Sequence, residues 1–193
     1  MILLVLGLVV FLGIHSIRIV ADDWRSARVA RLGEGRWKGL YSLVSLVGFV
    51  LIVVGYGQAR HAPVLLWIPP VWSRHVAALL VLAAFILIVA AYVPGTHLKA
   101  RVGHPMLLGV KLWAFAHLLA NGTLGSLVLF GSFLVWAVVD YVVCRRRDRR
   151  NGVAYAALGW SRDAIAVVIG LVAWAAFAFW LHGVLIGVKP FGV

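Results

Sequence analysis

Apolar runs of bilayer length recur along this chain, and no other feature restricts its fold as severely. Crossing the roughly 30 Å hydrocarbon core takes about 20 helical residues, and a continuous apolar run in lipid satisfies its own backbone hydrogen bonds only as a helix. Of the 193 residues, 64% are hydrophobic and 12% charged, so spanning helices use nearly the whole length and leave no room for a soluble domain. The expected fold class is therefore all-α: an integral membrane protein, residues 1–193 forming a single six-transmembrane-helix bundle.

The first span is Met1 to Val20, apolar apart from His15, Ser16 and Arg18, without the charged leader and small-residue cleavage site of a secretory signal. Ala21 to Lys38 is basic with helical spacing, and reads as an amphipathic segment on the membrane surface, anchored by Trp24 and Trp37. The second span covers Gly39 to Tyr56. Pro63, Pro69 and Pro70 then disfavour a continuous helix, while Trp67 and Trp72 suit a re-entrant or interfacial loop. The third span runs from His75 to Val93. The fourth is Pro105 to Ala120, with proline at the first helical position and a tight turn at Asn121-Gly122-Thr123. Leu124 to Cys144 and Asp163 to Val188 supply the fifth and sixth, before a tail from Lys189 to Val193.

Charge orients these spans, since cytoplasmic connections carry the excess of lysine and arginine. The first, third and fifth connections hold thirteen basic residues, against three in the other two and the termini, so both termini are expected to be periplasmic. The arrangement this implies is multi-pass. The net charge of +12 is thereby read as topology signal and contact with anionic lipid, and nucleic acid is not expected as a partner. Cys144, the single cysteine, excludes an internal disulfide and any cysteine-pair metal motif.

Ionisable groups inside spans are costly and call for a partner, a pathway or a ligand. They are His15, Lys111, His117, Asp140 and His182. Lys111 and Asp140 lie at similar depth, about 9 and about 7 Å from the cytoplasmic ends of consecutive helices at 1.5 Å per residue, so a structural ion pair is expected. One buried histidine is commonly just hydrogen-bonded to a neighbour. Three in apolar spans point to axial ligation of haem iron, because the spans have almost no carboxylate to offer another metal.

The residues GIHSIR in the first span, GHPMLLGVKLWAFAHLLANG around the fourth and LFGSFLVWAVVDYVVCRRRDRR after it resemble the NnrU family of bacterial membrane proteins over essentially the whole chain. The resemblance implies a link to denitrification, in which the family is needed for nitrite and nitric oxide reduction, and a relationship to zeta-carotene isomerase, a membrane enzyme that binds haem b. It further implies haem ligation by His15 of the IHS motif and His117 of the AHLLANG motif. Two positions depart from the pattern. Gly103 stands where an arginine usually precedes His-Pro, and Ala114 stands where isomerase relatives carry a cysteine, so ligand switching through a thiolate is not expected. By depth along the helices, His15 with His104 and His117 with His182 are alternative iron-ligating pairs, and Arg18 and Arg101 are candidates for holding haem propionates.

If the chain is an enzyme, a haem-dependent isomerase or oxidoreductase fits better than a hydrolase, because no nucleophile-base-acid set occurs in the spans. Components of nitrogen-oxide respiration are the partners this reading implies. A second class is a non-catalytic membrane assembly or stability factor for a respiratory reductase. A third is a relative of the isoprenylcysteine-type methyltransferases, whose His-Pro motif is similar. Its glutamate-containing segment has no counterpart in RRRDRRNGVAYAALGWSRD.

Overall fold

A computed structural model describes residues 1–191 of the chain, so Gly192 and Val193 at the end of the expected tail lie outside the described residues. The chain order is α1 (Ile2–Val20), α2 (Asp22–Leu32), α3 (Glu34–His61), α4 (Val71–Tyr92), α5 (His97–Val102), α6 (Pro105–Ala120), α7 (Leu124–Arg150), α8 (Trp160–Ala176), a π-helical turn (Phe177–Leu181) and α9 (His182–Ile186). Among the described residues there is no strand, only an isolated antiparallel bridge between Leu65 and Thr123. Five stretches are long and apolar enough to cross a bilayer: α1, α3, α4, α7 and Trp160–Ile186. The protein is thus a multi-pass membrane protein. At 16 residues, α6 is apolar but only about 24 Å long, short of the hydrocarbon thickness.

What is inside and what is outside follow the logic of lipid as solvent. Large apolar side chains point outward, among them Ile2, Leu43, Phe49, Val139 and Val172, while the buried positions are mostly small, including Ala84, Ala90, Ala114, Ala116, Ala137 and Ala166. With lipid as apolar as leucine, helices gain little by burying leucine and associate instead where small residues let backbones approach.

The chain forms two compact units, Met1–Ile68 with Gly122–Trp136, and Pro69–Asn121 with Ala137–Val193. In the first, α1 packs along α3. Gly48 makes that approach possible: a Cβ there would lie 2.7 Å from the Phe11 nitrogen, and one on Gly55 would overlap the Leu4 backbone. The proline-containing segment after α3 is non-helical, as its prolines require, and its backbone is satisfied by the turn after α6. Leu66 N–H donates to the Gly122 carbonyl at 2.8 Å, and Leu124 N–H to that of Val64 at 2.9 Å. The expected surface segment is α2, which buries none of its residues.

In the second unit, α4 packs against both α6 and α8. The fourth expected span coincides with α6, begun by Pro105 and ended at Asn121. The fifth continues well past Cys144 to Arg150, because the basic run that was read as a connection is itself helical. The stretch 151–159 then returns to the turn before α5, where Leu158 N–H meets the Gly95 carbonyl at 2.9 Å.

Candidate functional site

In the first unit, His15 lies in the penultimate turn of α1. Its Nδ1–H donates to the Phe11 carbonyl at 2.6 Å, one turn back on the same helix. That bond puts the proton on Nδ1 and the lone pair on Nε2. Aromatic rings surround the imidazole: Phe11 stacks at 4.3 Å, while Tyr41 of α3 and Trp136 of α7 stand edge-on at 5.3 and 6.0 Å. Among the described residues, two polar atoms in this unit are buried without a hydrogen-bond partner, Trp136 Nε1 and Ser45 Oγ. Trp136 belongs to the ring cage itself. The helix register that sets Gly55 against Leu4 and Gly48 against Phe11 brings Ser45, one turn beyond Tyr41, to the level of Ile14 and His15. Orphaned buried donors are rare in folded proteins, and where they occur a ligand is a common explanation.

In the second unit, His117 repeats the local arrangement of His15. Its Nδ1–H donates to the Trp113 carbonyl at 2.8 Å, again four residues back, and the residue at that position is again aromatic, the Trp113 ring lying 5.2 Å away. The lone pair is therefore on Nε2 here too. Asn121 Nδ2 caps the same helix end by donating to the His117 carbonyl at 2.9 Å. Ala114, at the position of the isomerase cysteine, is fully buried.

The other histidines are held differently. His104 Nε2–H donates to Asp148 Oδ2 at 2.9 Å; that carboxylate also accepts from Tyr155 Oη at 3.2 Å and lies 3.8 Å from the Arg145 guanidinium. Tyr141 and Tyr155 both stand edge-on to the His104 ring. His182 follows directly on the π-helical turn and donates from Nδ1 to the Val188 carbonyl at 2.7 Å. Of the propionate candidates, Arg18 is 3.8 Å from Asp22 in an exposed i, i+4 pair, and Arg101 is exposed.

The structure corrects the expected pairing of Lys111 with Asp140. Lys111 Nζ lies 3.6 Å from the centroid of the Tyr141 ring, a cation–π contact, while Asp140 accepts from the Cys144 thiol at 3.5 Å. Among the described residues no ion pair joins the two. Consecutive residues on a helix differ by about 100° in direction, so α7 turns the tyrosine toward the lysine and the aspartate away from it.

One arrangement escaped sequence reading. His97 Nδ1–H donates to Asp163 Oδ2 at 2.8 Å, its ring stacks on Trp160 at 4.1 Å, and Asp163 also accepts the backbone N–H groups of His97 and Leu98. A usable signal was present. The chain has only six acidic residues against eighteen basic ones, so each acid near a helix end is a candidate partner for a histidine.

What the site can do chemically follows from these hydrogen bonds. In His15 and His117 the Nδ1–H is fixed to a backbone carbonyl, the kind of outer hydrogen bond that supports a metal-bound imidazole. His104 and His97 instead tie separate segments together through carboxylates. Among the described residues, no group of three or more histidine, cysteine or acidic side chains is placed to hold a bare metal ion.

No curated protein and no solved structure matches the chain. A family model, described as NnrU protein, matches residues 3–190, which is nearly the whole length of both units. With the membrane helices and the His15 and His117 motifs inside that match, the chain belongs to the NnrU family.

Proposed function

We propose that this NnrU protein is a six-span protein of the bacterial inner membrane, with both termini periplasmic, that binds haem b through His15 and His117. One observation carries the reading: these two histidines share a local geometry, a ring proton given to the carbonyl one turn back beside an aromatic residue, which places the ring lone pair on Nε2. Of the alternatives, His104 commits Nε2–H to a buried carboxylate, whereas His182 also gives its Nδ1 proton to a backbone carbonyl, that of Val188, but six residues ahead and not one turn back. The orphaned Trp136 N–H beside His15 fits a bound group that brings a hydrogen-bond acceptor. Arg18 and Arg101 are the cations available for propionates.

Held by His15 and His117, a haem b would supply one-electron transfer. The role proposed is therefore electron transfer or redox sensing in nitrogen-oxide respiration, with nitrite or nitric oxide reduced elsewhere. Isomerase chemistry fits less well, because the thiolate position is Ala114, a buried methyl group.

The test is a reduced-minus-oxidised spectrum of purified protein produced with haem precursor, with pyridine haemochrome quantitation, on wild type, His15→Ala and His117→Ala. A stoichiometric b-type spectrum lost in both variants is expected. A colourless, folded wild type would sink the reading and favour an assembly factor without a cofactor.

A further inference from the structure

The five arginines at the end of α7 do not behave as one basic run. Arg145 turns to Asp148 and fills the space beside Gly103, and Arg147 donates to the Cys144 sulfur at 3.1 Å. Arg146, Arg149 and Arg150 are exposed, make no ion pair among the described residues, and line a single groove of about 580 Å³ with Val143. The basic surface near α2 differs in kind. There Lys38 meets Glu34 at 2.8 Å, Arg18 lies near Asp22, and Arg28 covers the Trp24 ring.

We infer that the groove formed by Val143, Arg146, Arg149 and Arg150 binds the phosphate headgroup of an anionic phospholipid. Three unpaired guanidinium groups within one and a half turns would repel one another without an anion between them. Helical spacing gives the site its second half. Val139, Val143, Arg146 and Arg150 follow one another at i, i+4, i+7 and i+11, so one stripe of α7 changes from apolar to cationic along its length. Val139 and the adjacent Val142 are 45% and 39% exposed, an outward apolar track leading to the guanidinium groups. A molecule with an acyl chain and a phosphate matches both halves. Free phosphate or a nucleic acid backbone would leave the valines uncovered.

The experiment is thermal unfolding of the full chain in a neutral detergent, titrated with phosphatidylglycerol, phosphatidylcholine or inorganic phosphate. Phosphatidylglycerol is expected to raise the melting temperature saturably, and the other two to have no comparable effect. The triple variant Arg146→Gln, Arg149→Gln, Arg150→Gln should weaken the apparent affinity about a hundredfold, taking about fivefold per guanidinium at an anionic headgroup. Arg25→Gln, Arg28→Gln, Arg31→Gln, made on α2, should leave it unchanged. Should the triple variant prove unstable, Val139→Ser, Val142→Ser serves in its place, and is expected to weaken lipid binding severalfold. An equal shift from inorganic phosphate, or a lipid shift that survives the α7 substitutions and disappears with those on α2, would overturn the inference.

Discussion

His15 in the first unit and His104 in the second are both fixed through one ring nitrogen, but to partners of opposite kinds. The bond of His15 is local, to a carbonyl four residues back, and orients the ring without joining anything to anything else. That of His104 reaches 44 residues along the sequence to Asp148, a carboxylate that Tyr155 and Arg145 also address. A local bond can be lost with little harm to the fold, so the imidazole is available for work. A long-range bond makes the imidazole a brace. On the haem reading, the comparison teaches that half-burial beside apolar helices does not by itself mark a ligand; the reach of the histidine's own hydrogen bond separates the candidates.

The largest effect that would break this distinction is on the spectrum. His15→Ala is expected to remove essentially all b-type absorbance while unfolding close to wild-type apoprotein, whereas His104→Ala should keep a stoichiometric haem and unfold more readily. The reverse pattern would exchange the two roles. Next in size, Asp148→Ala strands the His104 N–H and the Tyr155 hydroxyl together, and should cost about 3 kcal/mol in reversible unfolding in mixed micelles, the upper range for buried groups left unsatisfied. Gly48→Leu asks what the first unit relies on instead of braces: forcing a side chain against the Phe11 backbone should cost about 1–3 kcal/mol by the same assay.

A smaller effect carries a pH signature. Burial, and then the Asp148 carboxylate, hold the Tyr155 phenol above its ordinary value. The folded chain thus keeps a proton that the unfolded chain releases at about pH 10. This stabilisation is complete below that pH and is lost as pH rises through the raised folded value. Tyr155→Phe should cost about 1 kcal/mol at neutral pH and flatten the alkaline decline. Smallest of all, Lys111→Met should cost under about 1 kcal/mol, because a cation–π contact is lost where an ion pair was expected.

Much of the fold was legible because its signals are local. Proline at the start and Asn-Gly at the end delimit α6 to the residue, and the prolines after α3 mark the break in helix. Where charge was taken to bound a span, the boundary was misplaced: α3 already begins at Glu34 and α7 runs on to Arg150, since lysine, arginine and glutamate are good helix formers at a membrane surface. The histidine motifs also stood out. Their partners did not, because depth along a helix says nothing about direction around it, which is how Tyr141 and not Asp140 came to face Lys111. The contact of His97 with Asp163 had only the scarcity of acids to signal it, and that of Tyr155 with Asp148 depends on how a loop folds back, which nothing in a linear pattern encodes.

The pairing of the stretch after α3 with the turn after α6 bears on the order in which the protein is made. Leu66 and Val64 find their hydrogen-bond partners at Gly122 and Leu124, and the first unit is completed only by residues up to Trp136. Roughly fifty residues of the second unit must therefore leave the ribosome first, a delay of about 3–10 s at typical rates of synthesis. During that interval α1 and α3 can already pair in the membrane, yet the backbone that follows them has no acceptor but water or a headgroup. The nascent chain must keep that segment at the membrane surface until the middle of the protein has been threaded past it.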